Sequence, residues 1–111
     1  MPHHGGSPDF VLHIDGASRG NPGPAAYAVT VEDASGAAVA AFSKFIGHTT
    51  NNVAEYQGLL AALEYSVRNH HHRVLILTDS ELLARQMEGI YKVKSPDLKP
   101  LFERARDLVA K

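Results

Sequence analysis

Two short, mostly aliphatic segments that each run into an aspartate constrain the fold of this chain more than any other feature. Phe10–Ile14 is followed by Asp15, and Val74–Leu77 is followed by Thr78 and Asp79. Apolar runs of this length, bounded by turn residues, are typical of buried β-strands. A carboxylate at the end of a buried strand is costly unless a backbone N–H group, a cation or a metal pairs with it. Both aspartates are therefore candidate site residues, although for Asp15 alone a turn or cap role is the alternative.

The segment between the two strands is expected to form a helix. Asn51 to about Asn69 has apolar residues at helical spacing, and Thr50 or Asn51 can cap its first turn. The predicted buried stripe of this helix is Tyr56, Leu59, Leu60, Leu63 and Val67. A strand–helix–strand order favours parallel neighbours, and open α/β sheets bind ligands beyond the carboxyl ends of such strands. Asp15 and Asp79 are therefore predicted to lie side by side at one edge of the sheet.

The remaining segments predict one α/β domain, a mixed sheet with helices packed on it. The first three strands form an antiparallel meander with a tight turn at Asp33–Gly36, and the fourth strand is parallel to the first. Gly89 closes the second helix as a C-cap. The predicted strands are 9–15, 25–32, 39–48 and 73–78, and the predicted helices are 51–69, 80–88 and one that follows Pro96. The last helix is expected to bury Leu98, Leu101, Phe102, Ala105, Leu108 and Val109.

Length and composition exclude several classes of protein. The chain has 111 residues, enough for one domain and too few for two. The absence of cysteine excludes disulfides and thiolate metal sites, and a cytoplasmic location is expected. No apolar stretch approaches the ~20 residues of a membrane span, and residues 1–8 read as a disordered leader rather than a signal peptide. The net charge of −1 gives no overall attraction to nucleic acid, so polyanion binding requires a local basic patch.

Glu55 joins the two aspartates as a candidate site residue. It precedes Leu59 by one helical turn, so it lies beside the buried stripe and can point over the sheet edge. Three carboxylates at one edge repel each other, and a divalent cation is the natural group to remove that repulsion. A set made only of oxygen ligands suits Mg²⁺ or Mn²⁺ rather than zinc. We therefore expect Asp15, Glu55 and Asp79 to bring their carboxyl oxygens within reach of one shared cation.

Polar and basic residues near these carboxylates are of the kinds that contact a nucleic-acid backbone. The turn 16–24 exposes backbone N–H groups, and the start of the first helix favours phosphate. The candidate side chains are Ser18, Asn21, Thr49, Thr50, Asn51 and Asn52, with positive charge from Arg85, Lys92 and Lys94. The alternative for the polar residues is a role in turns and caps, and Thr50 and Asn51 are expected to do some capping in either case.

Three adjacent histidines, His70, His71 and His72, suggest a metal site at first sight. Consecutive residues do not share one face of a helix or strand, so the three rings cannot easily converge on one ion. We predict an exposed loop, with a metal site as the less favoured alternative.

Three motifs follow one another along the chain: Asp-Gly-Ala-Ser-Arg-Gly-Asn-Pro-Gly-Pro at 15–24, Asn-Asn-Val-Ala-Glu-Tyr at 51–56 and Thr-Asp-Ser at 78–80. In that order and spacing they closely resemble type 1 ribonuclease H, and the compact bacterial and archaeal branch is the nearest match. The resemblance covers the chain from Phe10 to its end, and the segment 89–94 (GIYKVK) is also similar to that branch. The family's basic-handle insertion is absent, because only a short connector separates the last two helices.

The resemblance implies an endonuclease that cuts the RNA strand of RNA–DNA hybrids. In the family, four carboxylates hold two metal ions, Mg²⁺ or Mn²⁺; one ion activates water and the other stabilises the leaving 3′-oxygen. By motif position Asp15, Glu55 and Asp79 match the first three carboxylates, and Asp15 would bridge both ions. Gly16 is included among the expected metal-contacting positions.

The same resemblance implies contacts with the substrate. Asn21, Asn51 and Asn52 match groups that contact the minor groove, where 2′-hydroxyl groups distinguish RNA from DNA. Thr50 matches a residue of a phosphate pocket for the DNA strand. The further expected substrate contacts are Ser18, Lys92 and Lys94.

The C-terminal end departs from the family pattern. The family continues with a fifth strand, a loop that often carries a histidine, and a helix with the fourth carboxylate, whereas this chain stops where that strand would begin. Asp107 lies in the preceding helix and is not assigned the missing role. The domain, 9–111, is therefore expected to be C-terminally truncated. One alternative function is a hybrid-binding module with weakened catalysis. Another is a fragment that forms a homodimer through the open strand edge at Val74–Leu77. A more distant alternative is another nuclease or an integrase of the same fold.

Overall fold

The computed structural model describes residues 7–111, which fold into a four-stranded mixed sheet with three helices. The elements in chain order are β1 Phe10–Ser18, β2 Gly23–Asp33, β3 Ala38–Thr49, α1 Asn51–Arg68, β4 Val74–Thr78, α2 Glu81–Met87 and α3 Lys99–Val109. Both the number and the kind of these elements agree with the sequence prediction. Of the predicted leader, residues 1–6 lie outside the described residues.

The sheet has the strand order β3–β2–β1–β4, with β1 antiparallel to β2 and parallel to β4. The last pair between β1 and β4 is Ile14↔Thr78, so Asp15 and Asp79 each come one residue beyond the end of that ladder. This confirms that the strands carrying the two aspartates are neighbours. The prediction that β1 ends at Asp15 was wrong: the strand continues to Ser18 because β2 goes on pairing with it after β4 has ended.

The core lies between α1 and one face of the sheet. Alternate residues of β1 and β2 point into it, and α1 covers them with an apolar stripe. The main members of this core are Leu12, Ile14, Val29, Val31, Tyr56, Leu59, Leu60, Leu63, Leu83, Leu98, Ala105 and Leu108. Val67 and Val109 were also predicted to be buried, but they are 37% and 62% exposed. Both line an open groove beside β4, where the described residues supply no further layer to cover them.

The helix ends follow the capping signals of the sequence. The Thr50 side chain accepts a hydrogen bond from the Val53 N–H group at 3.2 Å, and Ser80 does the same for Leu83 at 3.1 Å. Gly89 follows the end of α2 with φ of 82°, a left-handed conformation that favours glycine. Among residues 7–111 no helix has the length and apolar character needed to cross a membrane.

The outer edge of β4 pairs with no other strand within the described chain. Leu75 and Leu77 alternate with the inward-facing residues of β4 and are 45% and 41% exposed. The sequence prediction of an open aliphatic edge at Val74–Leu77 is therefore confirmed, whereas homodimer formation through it stays a prediction.

The prediction of an exposed histidine loop was wrong for one of its three residues. His71 folds inward and stacks on Phe10 with ring centroids 3.7 Å apart, and it forms a T-shaped pair with Tyr65 whose ring centroids are 5.6 Å apart. His70 makes this turn possible with φ of 57°, and His72 stays exposed. His70 is exposed like His72, so only His71 packs into the protein, and no group of three or more potential ligands among residues 7–111 is placed to hold a metal ion.

Candidate active site

Glu55 occupies the point where α1 crosses the ends of β1 and β4. Its side chain is buried, with 8% relative exposure. The Oε1 atom accepts a hydrogen bond from the Gly16 N–H group, and the Oε2 atom accepts one from the Thr78 hydroxyl at 2.6 Å. Charge-assisted hydrogen bonds of this kind offset the cost of burying a carboxylate. The helix therefore places Glu55 over the sheet edge, as its position one turn before Leu59 predicted.

Gly16 is required for that close approach. A Cβ atom at this position would lie 2.4 Å from the carbonyl carbon of Ala54 and 2.6 Å from the Glu55 nitrogen. Only glycine leaves room for the backbones of β1 and α1 to come this near. The Gly16 N–H group holds the Glu55 carboxylate, and the role of Gly16 as a metal-contacting position stays a prediction.

Asp15 and Asp79 are both exposed and line one shared pocket. Asp15 alternates along β1 with the buried Leu12 and Ile14, so its side chain lies on the face of the sheet away from α1. The pocket is completed by His13, Ile14, Ala28, Thr30, Leu77 and Thr78. The structure thus brings the two aspartates together, as the parallel pairing of β1 and β4 requires.

The structure does not assemble the three carboxylates into one cluster. Among residues 7–111 no set of three or more His, Asp or Glu residues is placed to hold a common ion. Glu55 comes from the helix side of the sheet and bonds to Gly16 and Thr78, whereas Asp15 lies on the opposite face. The expected convergence on one cation is therefore not observed, and the ligand roles stay a prediction.

The donor set nevertheless fits a hydrated hard cation. Mg²⁺ in proteins is commonly held by one or two carboxylates while water and substrate phosphate complete its coordination. Asp15 and Asp79 offer two exposed carboxylates on one pocket, with Thr78 and Thr30 as further oxygen groups. The pocket also contains His13. Its Nε2 atom lies 3.5 Å from Glu32 Oε1, so this ring nitrogen already has a carboxylate partner.

Ser18, Asn21 and Asn51 form a hydrogen-bond network between the β1–β2 turn and the start of α1. The Asn51 Oδ1 atom accepts hydrogen bonds from the Ser18 N–H group at 2.7 Å and from the Ser18 hydroxyl at 2.9 Å. The Asn51 backbone N–H group in turn donates to Asn21 Oδ1 at 3.0 Å. With the Thr50 cap, this satisfies helix-start N–H groups that otherwise lack partners. The predicted capping role of these polar residues is therefore observed. Asn52 lies exposed next to Asn51.

Thr78 is a site residue to which the sequence analysis assigned no role of its own. Its hydroxyl donates to Glu55 and accepts from the Ser80 N–H group at 3.0 Å, so its orientation is fixed from both sides. A polar residue directly before Asp79, at the end of an otherwise aliphatic strand, was the signal that could have revealed it.

Tyr56, the residue after Glu55, forms a second buried polar contact. The Tyr56 hydroxyl donates to Gln86 Oε1 at 2.6 Å, and both side chains are buried. Burial raises the pKa of Tyr56 to about 12, so its hydroxyl stays protonated well into the alkaline range. Gln86 was also missed, because a glutamine in a helix carries no distinctive sequence signal.

The predicted basic residues differ in their surroundings. Lys92 and Lys94 are exposed on the connector between α2 and α3. Arg85 was expected to add positive charge for a polyanion, but its guanidinium lies 3.7 Å from Glu81 and 3.5 Å from Glu88 on the same helix. Both ion pairs are exposed and therefore weak, so Arg85 keeps its charge beside two acids, whereas Lys92 and Lys94 form no ion pair within residues 7–111.

The mixed sheet in the order β3–β2–β1–β4, with α1 packed on one face and aspartates directly after the last β1–β4 pair, defines a ribonuclease H-like domain. A family model described as reverse transcriptase-like matches residues 13–111, and the chain belongs to that family, with ribonucleases HI of bacteria and archaea among its homologues.

Three relatives illustrate the similarity. The bifunctional protein Rv2228c of Mycobacterium tuberculosis is 48% identical over 101 residues, which are 90% of this chain and 28% of that protein. The solved structure of its N-terminal RNase H domain has a TM-score of 0.88 and 44% identity, covering 94% of this chain and 76% of that one. Ribonuclease HI of Halobacterium salinarum is 41% identical over 97 residues, which are 87% of this chain and 49% of that protein.

The third relative is LC11-RNase H1, solved in complex with an RNA/DNA hybrid. It is 41% identical, with a TM-score of 0.83, and the similarity covers 89% of this chain and 75% of that one. This chain therefore spans about half or less of the length of the first two curated relatives, while it spans about three quarters of the solved domains.

Proposed function

We propose that this protein is a metal-dependent endonuclease that hydrolyses the RNA strand of RNA–DNA hybrids. One observation carries the proposal: in a ribonuclease H-like sheet, Asp15 and Asp79 share one pocket, and Glu55 is fixed by hydrogen bonds to their chain neighbours Gly16 and Thr78. The complex of LC11-RNase H1 with an RNA/DNA hybrid supports the same substrate class, because that relative shares the fold at 41% identity.

The carboxylates would hold Mg²⁺ or Mn²⁺, with two ions per site as the proposed number. Bound there, the ions would supply an activated water and stabilisation of the leaving oxygen. Asp15 and Asp79 would hold them directly, since both carboxylates are exposed on the shared pocket. Two hydrogen-bond donors within the protein already orient Glu55. The direction of its remaining lone pairs is therefore set by the fold before any substrate binds.

The asparagines would read the hybrid through their amide NH₂ groups. The oxygen atoms of Asn21 and Asn51 are engaged within the protein, which leaves their NH₂ groups to donate outward. Base edges and 2′-hydroxyls of a minor groove accept such hydrogen bonds, and the 2′-hydroxyl identifies the RNA strand. Asn52 lies exposed beside them, and Ser18 orients Asn51.

The DNA strand would be held through its phosphates. Thr50 lies at the positive end of α1, where backbone N–H groups favour an anion. Lys92 and Lys94 add exposed positive charge on the connector after α2. Contacts of this type give affinity without sequence preference, which suits an enzyme that selects a hybrid by its shape.

The test is cleavage of a labelled RNA–DNA hybrid by the purified chain in Mg²⁺ and in Mn²⁺. Duplex DNA and duplex RNA serve as substrate controls. Asp15→Asn should abolish cleavage, whereas the matched control Asp107→Asn, an exposed acid on α3, should retain it. Cleavage of all three duplexes alike, or equal activity in the parent and Asp15→Asn, would overturn the proposal.

A second candidate is a hybrid-binding module with weakened catalysis. It is favoured by the separation of Glu55 from the pocket that Asp15 and Asp79 share. This candidate predicts that the parent binds the hybrid in Mg²⁺ but cleaves it no faster than Asp15→Asn does.

The unpaired edge of β4 supports a subordinate proposal, pairing with the same edge of a second copy. Leu75 and Leu77 would be covered in such a homodimer. Sedimentation at high protein concentration should then show a dimer, and a strictly monomeric profile contradicts it.

A further inference from the structure

The connector between α2 and α3, residues 88–98, carries Lys92 and Lys94 without forming a helix or strand. Its first part is anchored through the backbone, because the Ile90 N–H group donates to the Arg85 carbonyl at 2.9 Å. Both lysines are exposed. The direction of the Lys92 and Lys94 side chains therefore depends on the groups that fix the connector backbone between them.

Gln86 supplies an anchor at this point from inside the protein. Its side chain has 4% relative exposure. The Nε2 atom donates to the Lys92 carbonyl oxygen at 3.3 Å, and the Oε1 atom accepts from the Tyr56 hydroxyl at 2.6 Å. The Lys92 carbonyl oxygen can only accept, so the amide Nε2 faces the connector and the Oε1 atom faces the Tyr56 hydroxyl. A buried amide with both ends paired is a rigid link, because turning it would leave buried polar groups without partners.

We propose that Gln86 is a positioning residue that holds the Lys92–Lys94 segment as a phosphate-contacting surface for the backbone of the hybrid. The proposal rests on the proposed function and assigns this surface to the polyanion that the function requires. A lysine is a point charge on a flexible stem, so a fixed backbone lowers the ordering cost that is incurred on binding. Phosphate contacts release counterions, so the contribution of this surface appears as salt dependence of the affinity.

The experiment measures the Kd of the full chain for an RNA–DNA hybrid over a series of salt concentrations, in EDTA to prevent cleavage. Gln86→Leu removes both hydrogen bonds at similar side-chain volume. Tyr56→Phe removes the bond to Oε1 and leaves the bond to Lys92. Circular dichroism establishes that each variant is folded, and Gln86→Met is the second variant if Gln86→Leu does not fold.

Two double variants calibrate the effect of charge. Lys92→Ala/Lys94→Ala removes the proposed surface, and it should lower the slope of log K against log salt by about 1 per lysine. Lys99→Ala/Lys111→Ala is the matched control, because it removes two exposed lysines at the ends of α3 instead. Its slope should stay close to that of the parent.

Gln86→Leu should weaken binding roughly three- to tenfold and lower the salt slope towards that of the Lys92→Ala/Lys94→Ala variant. In cleavage assays KM should rise while kcat stays unchanged. Adding Gln86→Leu to the double lysine variant should cost no further affinity, because the surface it positions is already gone. Tyr56→Phe should change the slope little.

An unchanged salt slope in a folded Gln86 variant, or a loss of affinity that adds in full to that of the lysines, overturns the proposal. A fall in kcat at constant KM overturns it as well, since that places Gln86 at the chemical step. Failure of the parent to cleave the hybrid contradicts the proposed function alone, because the binding measurement in EDTA does not depend on cleavage.

Discussion

The Thr78 hydroxyl donates a hydrogen bond to Glu55 Oε2 at 2.6 Å, which joins the end of β4 to the second turn of α1. The Gly16 N–H group holds the other oxygen from the end of β1. One buried carboxylate thus links three elements at the sheet edge that also carries Asp15 and Asp79. Because its partners are a backbone group and a fixed hydroxyl, the orientation of Glu55 is a property of the fold itself.

Removing the Thr78 hydroxyl should impair cleavage more than folding. Thr78→Val keeps the shape but leaves Glu55 Oε2 and the Ser80 N–H group without this partner, so we expect kcat to fall by about tenfold or more. The free energy of unfolding should fall by about 1–2 kcal/mol. Thr78→Ser retains the hydroxyl and should restore most of the activity. Cleavage kinetics and urea unfolding measure the two effects, and a Thr78→Val rate within twofold of the parent would show that the contact does not matter.

A methyl group at Gly16 should be tolerated poorly. The Cβ atom of Gly16→Ala would meet the Ala54 carbonyl carbon at 2.4 Å, so α1 must move away from β1. We expect a loss of about 3 kcal/mol in the free energy of unfolding, together with lost cleavage.

Gly36→Ala is the matched control for Gly16→Ala, since its added Cβ would have no heavy atom within 4 Å beyond the neighbouring residues, and only the positive φ of 89° is strained. It should cost about 1 kcal/mol. Equal losses for the two variants, measured by urea unfolding, would mean that the close approach at Gly16 is not limiting.

Divalent cations should stabilise the parent through Asp15. A ligand that binds only the folded state raises its stability by mass action, so Mg²⁺ or Mn²⁺ should raise the melting temperature. Asp15→Asn should lose most of this rise and should be slightly more stable than the parent without metal, because one repelling charge near Asp79 is gone. Asp107→Asn should respond to the ion as the parent does. An equal rise in Asp15→Asn and the parent would exclude Asp15 as a ligand.

Alkaline pH should destabilise the fold partly through Tyr56. Its pKa is raised by burial to about 12, whereas an exposed tyrosine ionises near 10. The unfolded state therefore loses its proton first as the pH rises, and the stability that Tyr56 contributes is lost between about pH 10 and about pH 12.

Tyr56→Phe should accordingly lose less of its melting temperature than the parent does between about pH 9 and about pH 11. At neutral pH the variant should be less stable, because it lacks the hydrogen bond to Gln86. Thermal melts of both proteins across this range provide the measurement, and parallel alkaline losses would argue against a buried neutral Tyr56.

Replacing His71 with phenylalanine should stabilise the fold. The His71 Nδ1 atom is buried and has no hydrogen-bond partner within residues 7–111, although the ring stacks well on Phe10. His71→Phe keeps the stacking and removes the unpaired nitrogen, so the free energy of unfolding should rise by about 1 kcal/mol. His72→Phe, at an exposed neighbouring position, should change it little. Urea unfolding of the three proteins checks the order, and a less stable His71→Phe would indicate an unrecognised partner for Nδ1.

Local patterns were sufficient for most of the architecture. The apolar runs before Asp15 and Asp79, the helical spacing from Tyr56 to Leu63 and the caps at Thr50 and Ser80 each correspond to an element of the structure. Each of these signals depends on a few neighbouring residues, so it can be recognised from a single sequence. Val67 and Val109 match the same spacing but face an open groove, because periodicity indicates a face and does not say what covers it.

The sequence by itself determined which acidic residues lie at the sheet edge of the candidate site. Two aspartates come directly after the paired segments of adjacent parallel strands, and Glu55 lies near the start of the helix between them. The tertiary structure alone decided how they are held. Four of the contacts described above join residues far apart along the chain. Glu55 meets Gly16 across 39 residues and Thr78 across 23. Gln86 meets Tyr56 across 30 residues, and His71 meets Phe10 across 61. Contacts at such separations depend on the packing of α1 against the sheet. No local pattern encodes which polar group will meet which across that interface.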